Sequence, residues 1–139
     1  MIKIQQPVFV FFLMGALLYG LDVHSGGPIS KSQAAMDVKH YILDLRVDPH
    51  KKFISGSSTI QFILKEDTPT LEIDLYKKFV VSGVSIDGTN LDFKHQGHKV
   101  FIENPDIELF VLHKLEIKYG GRPPIAKRPP WDGGFTWER

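Results

Sequence analysis

The sequence contains no cysteine, so disulfide bonds, thiolate metal sites and cysteine nucleophiles are all excluded. It also lacks an excess of charge of one sign, because 17 Lys and Arg face 16 Asp and Glu and leave a net charge of +1. Without a basic field, the chain is poorly suited to bind a nucleic-acid backbone. Its 139 residues are 42% hydrophobic and 24% charged, which is typical of one globular domain.

The common catalytic motifs are missing as well. There is no G-x-S-x-G nucleophile elbow and no glycine-rich phosphate loop, and none of the six histidines begins an H-E-x-x-H motif. The acidic residues mostly alternate with apolar ones, so we expect them to point to solvent instead of converging in a cleft, as glycoside hydrolysis requires. We therefore assign no catalytic, cofactor-binding or metal-binding residue.

Only one long apolar run is present, at residues 8–21. At 14 residues it is short for a membrane span, which needs about 20 residues of helix. With Lys3 before it, the run fits the apolar region of a secretory signal peptide. We predict a signal peptide at residues 1–25, export to the periplasm or the extracellular space, and a flexible lead at 26–36. An uncleaved membrane anchor is the alternative.

From residue 37 onward, apolar and polar residues alternate with a period of two, which is typical of half-buried strands. The alternation predicts that four side chains of the first strand face a core: Tyr41, Leu43, Leu45 and Val47. Similar short segments recur about every ten residues up to residue 120, with Gly56 as a candidate bulge or bend and Asp87-Gly88 as a hairpin signal. We predict an all-β domain at 37–120, an antiparallel sandwich or open, saddle-like barrel of seven or more strands.

Residues 121–139 differ in composition and form a predicted Pro-rich arm. Its first part should run extended over the surface and lead to a turn at residues 132–134. Phe135 and Trp137 should then begin a strand that the chain ends before completing, so we expect a truncated fragment. The aromatic side chains of Trp131, Phe135 and Trp137 favour packing against a sheet or a neighbouring domain, and stacking on sugars is the alternative.

A weak metal signal lies at His95 and His98. These residues flank a predicted turn with opposite parity, so their side chains need not point the same way. Candidates to complete a zinc site, which needs three or four converging ligands, are His113, Asp92 and Glu103. Solvent-exposed turn histidines are the simpler interpretation. His40 should lie on the outer face of the first strand, and His113 should be partly buried beside the last one.

The sequence resembles the amino-terminal domain of zinc aminopeptidases of the aminopeptidase N type, the M1 metallopeptidases, over residues 37–139. The residues that match the family's opening strand, D-x-x-H-Y-x-L-D-L-x-x-D, are Asp37, His40, Tyr41, Leu43, Asp44, Leu45 and Asp48. Those that match its later segments are Ile54, Gly56, Leu71, Ile73, Asp74, Leu75, Tyr119 and Gly120. Isoleucine stands at 73 where leucine is commoner. The stretch P-P-W-D-G-G-F-T-W, residues 129–137, is similar to the branch of exported bacterial members.

The resemblance implies that the parent protein removes amino-terminal residues from peptides with a zinc ion held by two His of H-E-x-x-H and by a Glu of the next helix. Neither this motif nor the family's G-x-M-E-N segment occurs in the 139 residues. We therefore expect a non-catalytic scaffold whose edge strands and Pro-rich arm dock on a zinc-binding catalytic domain of the same polypeptide. The alternative is an independent secreted sandwich module that binds protein or carbohydrate. A small zinc hydrolase centred on His95 and His98 ranks last.

Overall fold

The structure is a computed structural model that describes residues 28–103, 106–129 and 133–137. The predicted signal peptide at residues 1–25 lies outside the described residues. The described residues form one short helix and eight strands. These elements are α1 (Lys31–Ala34), β1 (Met36–Asp48), β2 (Phe53–Leu64), β3 (Thr70–Asp74), β4 (Val80–Ile86), β5 (Thr89–Asn90), β6 (Phe93–Gln96), β7 (Lys99–Glu103) and β8 (Leu112–Gly121).

The strands form two antiparallel sheets. The larger sheet has the order β1-β2-β8-β4-β5, and the smaller has the order β3-β7-β6. This arrangement confirms the predicted all-β sandwich. The two longest strands of the larger sheet, β1 and β2, have 13 and 12 residues, whereas no strand of the smaller sheet has more than five residues. The smaller sheet is therefore too short to cover the whole face of the larger one.

The core lies between the two sheets and consists of alternate residues of the central strands. On β2, β8 and β4, cross-strand partners share the inner face because opposite residues of an antiparallel pair point to the same side. The buried core side chains are Ala35, Met36, Ile60, Phe62, Leu64, Leu71, Val84, Ile86, Val100, Ile102, Leu115 and Ile117. The predicted alternation on these strands therefore holds.

The prediction that the first strand faces a core is wrong for most of β1. Tyr41 lies opposite the buried Ile60, so it points to the core-facing side as expected. Nevertheless the side chains of Tyr41, Leu43 and Val47 are 57%, 60% and 49% exposed, and only Leu45 is partly covered. The physical reason is that the smaller sheet ends before it reaches this edge of the larger sheet.

Two turn predictions have different outcomes. The hairpin at Asp87-Gly88 is confirmed, since both residues have positive φ, 49° and 85°, as a tight turn between β4 and β5 requires. The β1–β2 register, however, is unbroken at Gly56, so no bulge occurs there. The irregularity in this pair lies between Val38 and His40 instead.

The described part of the predicted flexible lead contains ordered elements. Ser30 caps α1 by accepting a hydrogen bond from the Gln33 amide at 3.2 Å, while the Gln33 side chain accepts one from the Ser30 amide. This reciprocal capping box satisfies two amide donors that a helix start leaves open. Ala35 and Met36 then enter the core. The domain therefore begins several residues before residue 37.

The arm after β8 folds back on itself. The amide of Phe135 donates to the carbonyl of Pro124 at 2.8 Å, and the amide of Ala126 donates to the carbonyl of Phe135 at 3.2 Å. Together these bonds make a short parallel bridge between Ile125 and Phe135. Among the described residues, no helix is long and apolar enough to cross a membrane.

Candidate functional site

An apolar groove of about 360 Å³ lies between β1 and β3. It opens where the larger sheet extends past the smaller one. We call this feature the β1 groove. Its apolar lining comes from the inner face of the larger sheet and from the end of β3, and consists of Met36, Val38, Tyr41, Leu43, Ile60, Ile73, Leu75, Ile117 and Tyr119. A groove with this lining is suited to hold apolar side chains.

The polar rim of the β1 groove is already paired within the chain. The ammonium of Lys99 lies 2.8 Å from a carboxylate oxygen of Glu72, and this hydrogen bond holds the pKa of Glu72 below its usual value of 4.5. The side-chain amide of Gln33 donates to Asp74 at 3.0 Å. Burial raises the pKa of Tyr119. Lys99 neutralises Glu72, and Gln33 hydrogen-bonds one oxygen of Asp74, so both carboxylates of the rim already have partners within the chain.

The candidate metal ligands do not come together. The His95 side chain lies on β6, and its Nε2 is 3.3 Å from the Leu75 carbonyl. His98 follows in the turn, where its ring packs against that of Tyr76 at 5.4 Å between centroids. Glu103 pairs with Lys94 at 2.7 Å. No group of three or more His, Cys, Asp and Glu that could hold a metal ion occurs in residues 28–103, 106–129 and 133–137. The donor set of the described residues does not fit zinc.

His113 is buried, and it lies in a polar network that the sequence analysis missed. Its Nδ1 is 2.6 Å from a carboxylate oxygen of Asp87, and its Nε2 is 2.8 Å from the Glu108 carbonyl. Both partners are acceptors, so both ring nitrogens must donate and the ring carries a positive charge. The other oxygen of Asp87 accepts the Lys114 amide at 2.8 Å. The network joins the β4–β5 hairpin, the loop before β8 and β8 itself.

The pKa values of this pair agree with the geometry. Burial alone would lower the pKa of His113, but its bonds to Asp87 and Glu108 outweigh burial and raise the pKa above 6.5. Burial alone would raise the pKa of Asp87, but its bonds from His113 and Lys114 hold it below 3.8. The charged pair therefore persists between those two values. Its role is structural, because His113 is 6% exposed.

We expect the His113→Gln variant to lose more stability in mild acid than in base. The folded-state pKa of His113 is raised, so its stabilisation is fully present below 6.5 and is lost as pH rises through that folded-state pKa. Urea titrations should show a loss of about 1–2 kcal/mol at about pH 6 and a smaller loss at about pH 9. An equal loss at both pH values would contradict the charged ring. His40→Gln, at an exposed β1 position, is the control.

The aromatic residues of the arm form a small surface feature. Phe135 and Trp137 stack with ring centroids 5.3 Å apart and an interplanar angle of 21°. Phe135 is 37% exposed, so the pair is only partly packed away. The indole nitrogen of Trp137 is buried and has no hydrogen-bond partner among the residues that the structure describes. Trp131, the third member of the predicted aromatic group, lies outside the described residues.

The remaining candidates are dispersed. His40 lies on β1 opposite Gln61 and is exposed, as predicted for the outer face. Asp92 is exposed between β5 and β6. The prediction that none of the residues is catalytic or metal-binding stays a prediction. The β1 groove could have been found from the sequence only by noting that the predicted first two strands are far longer than those that must cover them.

The fold and the site define a class of domain: an open two-sheet antiparallel sandwich with an apolar groove beside its smaller sheet. Solved structures with this fold include native LTA4 hydrolase from yeast, 31% identical over 63% of this chain with a TM-score of 0.55. They also include an M1 zinc metallopeptidase from Deinococcus radiodurans, 22% identical over 77% of this chain with a TM-score of 0.60. These matches confirm the resemblance to M1 zinc metallopeptidases.

The matches cover only a small part of those larger proteins. The chain spans 14% of the yeast hydrolase and 25% of the Deinococcus enzyme. A second structure of the hydrolase, from Saccharomyces cerevisiae, is 28% identical to this chain with a TM-score of 0.53, and this chain spans 15% of its length. No family model and no curated protein matches the chain.

Proposed function

We propose that the sandwich and the Pro-rich arm form part of the non-catalytic amino-terminal scaffold domain of an exported zinc aminopeptidase. One observation carries this proposal: the sandwich is similar to part of yeast LTA4 hydrolase at 31% identity, in a sequence that contains no H-E-x-x-H motif. On this proposal, peptide hydrolysis and the zinc ion belong to a catalytic domain of the same polypeptide. The residues described here supply support and no chemistry.

The charges of the sandwich support a structural role. Lys39 and Lys65 both lie 2.7 Å from Asp37. Lys94 pairs with Glu103 at the same distance. A general base or acid needs a free position facing a substrate, whereas these carboxylates already face lysines at the surface. The network of the buried His113 joins three segments of the fold: the β4–β5 hairpin, the loop before β8 and β8 itself.

The Pro-rich arm is the surface that we propose docks on the catalytic domain. Its bridge between Ile125 and Phe135 fixes the backbone, yet Ile125 remains 58% exposed. Interfaces between domains of one chain bury about 600–1,500 Å². An arm with fixed backbone and exposed apolar side chains is suited to such a contact.

We also propose that the protein is exported through a signal peptide at residues 1–25. The apolar run at 8–21 and Lys3 support this proposal, as they fit the layout of a secretory signal. Expression in a bacterial host followed by fractionation and amino-terminal sequencing tests it. Cleaved protein in the periplasm is the expected result. Full-length protein that remains in the membrane fraction would instead favour an uncleaved anchor.

The reading frame around the codon for Arg139 tests the proposed function. We expect it to continue into an H-E-x-x-H motif within a few hundred residues. In the whole product, replacing the motif Glu with Gln should abolish hydrolysis of aminoacyl substrates, because that residue activates the metal-bound water. His95→Ala in the same product should leave kcat/KM within about twofold, since the half-buried His95 lies outside the proposed catalytic domain.

Two results would contradict the proposal. A natural stop codon directly after Arg139 would favour an independent secreted module that binds protein or carbohydrate. Loss of activity in the His95→Ala variant, with folding unchanged by circular dichroism, would move the chemistry into this domain.

A further inference from the structure

We propose that residues 107–111, the loop that leads into β8, form a latch whose state is set by the protons on the ring of His113. The latch is closed while both ring nitrogens carry a hydrogen, and the loop separates from the sandwich when one of these hydrogens is lost. The latch belongs to the buried network of His113 and not to the arm that we propose docks on a catalytic domain, so it does not rest on the proposed function.

The ring of His113 faces two hydrogen-bond acceptors. Its Nδ1 lies 2.6 Å from a carboxylate oxygen of Asp87, and its Nε2 lies 2.8 Å from the carbonyl oxygen of Glu108. An ionised carboxylate and a backbone carbonyl can only accept a hydrogen bond, whereas a neutral imidazole ring has a single N–H donor. Loss of one proton from the ring therefore breaks one of the two bonds.

The bond that breaks is the one to the loop. A hydrogen bond to a carboxylate is stronger than one to a neutral carbonyl, so the neutral ring keeps its hydrogen on Nδ1, toward Asp87. The β4–β5 hairpin also has two bonds of its own to β8. Asp87 accepts the amide of Lys114 at 2.8 Å, and its own amide donates to the Lys114 carbonyl at 2.9 Å. The hairpin therefore stays in place, whereas Glu108 loses its bond.

Few other bonds hold the loop. Within the part of the chain that the structure describes, one backbone hydrogen bond joins residues 107–111 to another segment, from the Phe110 amide to the Leu64 carbonyl at 2.9 Å. Phe110 has φ of 62°, in the left-handed region that an aromatic residue rarely adopts, and its side chain is 71% exposed. Such backbone strain persists only where the surroundings enforce it. Without the bond from His113 to Glu108, the loop can relax by moving away.

The direction of the switch follows from the charged groups around the ring. Asp87 and Glu108 are the titratable residues that face it, β2 presents the phenyl ring of Phe62, and the charge of Lys114 acts on Asp87. Burial lowers the pKa of His113, but the bonds and charges of Asp87 and Glu108 outweigh burial and raise that pKa above 6.5. Asp87 stays ionised throughout, because its pKa lies below 3.8. The latch is therefore closed in mild acid and opens as pH rises through the folded-state pKa of His113.

Opening of the latch uncovers one end of the core. Ile107 packs against the hydrophobic cluster between the sheets, so its departure exposes apolar surface where β8 begins. The arm follows the other end of β8, and a strand of ten residues is about 33 Å long. The latch and the arm therefore lie at opposite ends of the sandwich.

Hydrogen exchange of two backbone amides in the full chain, measured by NMR and corrected for the intrinsic effect of pH, tests the latch. The amide of Phe110 reports on the loop, and the amide of Asp87 reports on the hairpin. Between about pH 6 and about pH 9, we expect the protection factor of Phe110 to fall about tenfold or more, as loss of a hydrogen bond from a charged group predicts. The protection factor of Asp87 should change by less than about twofold, because the hairpin does not open with the loop.

Asp87→Asn keeps the turn but removes the charge, since Asn also tolerates positive φ. Without the carboxylate, the pKa of His113 falls. The midpoint of loop opening should therefore move to lower pH, together with the titration of the His113 ring observed by NMR. A ring that only fills space would not shift this midpoint. His40→Gln, at an exposed position of β1, is the matched control and should leave the midpoint unchanged.

Three outcomes would overturn the proposal. The first is equal protection of the Phe110 amide at both pH values. The second is loss of protection by the same factor at Phe110 and Asp87, which would mean that the whole sandwich loosens and that the loop does not move by itself. The third is an opening midpoint that Asp87→Asn leaves in place. The first two are read from the unchanged chain, so a variant that fails to fold does not affect them.

Discussion

Phe62→Ala is expected to lower the free energy of unfolding by about 3–5 kcal/mol, as is usual when a fully buried aromatic side chain is removed. Phe62 is 0% exposed and lies on the inner face of β2, at the centre of the larger sheet. Its ring contacts that of His113, with 5.8 Å between centroids. The change would leave a cavity in the hydrophobic cluster between the two sheets. Urea denaturation followed by circular dichroism measures the loss.

The matched control removes the same side chain at the surface. Phe110 is 71% exposed, so Phe110→Ala should change the free energy of unfolding by less than about 0.5 kcal/mol. A loss at Phe62 no larger than the loss at Phe110 would mean that the two sheets do not share the core described above.

Gly56→Ala is expected to destabilise the fold by about 3 kcal/mol or more, through backbone strain combined with a steric clash. Gly56 has φ of +148°, a conformation that side-chain-bearing residues rarely adopt. A Cβ atom there would lie 1.9 Å from the carbonyl oxygen of Asp44 on the neighbouring strand. The substitution therefore forces β1 away from β2. Hydrogen exchange should show lost protection along β1, alongside the lowered urea midpoint.

Gly83→Ala provides the comparison for this change. Gly83 lies on β4 of the same sheet, and a Cβ atom there would meet no other atom within 4 Å. We expect a change of less than about 1 kcal/mol. Equal destabilisation by the two substitutions would contradict the account. It would mean that the cost at Gly56 does not come from the close approach of β1 to β2.

Local features of the fold could be predicted because they depend on a few neighbouring residues. The Asp87-Gly88 hairpin follows from two adjacent residues that tolerate positive φ. The side of β1 to which Tyr41 points follows from alternation alone. The burial of the β1 side chains could not be predicted. It depends on the length and position of β3, and the sequence of β1 contains no information about either. The same residues therefore point to the predicted side and yet meet solvent.

The candidate site was less predictable for a similar reason. The pair of His113 and Asp87 joins residues 26 positions apart, and it forms because the β4–β5 hairpin lies against the start of β8. The sequence predicted partial burial of His113 but not its partners. The β1 groove likewise requires two sheets whose relative extent is set by the whole fold. By contrast, the different directions of the His95 and His98 side chains could be predicted from the sequence. That prediction needs only their opposite parity beside one turn.

Hydrolysis of aminoacyl substrates by the purified chain, with zinc added, tests the central claim most directly. The account predicts no turnover above the buffer rate, because no group of three or more metal-binding side chains occurs among the described residues and no H-E-x-x-H motif occurs in the sequence. Zinc-dependent turnover that disappears in the His95→Ala variant would contradict it.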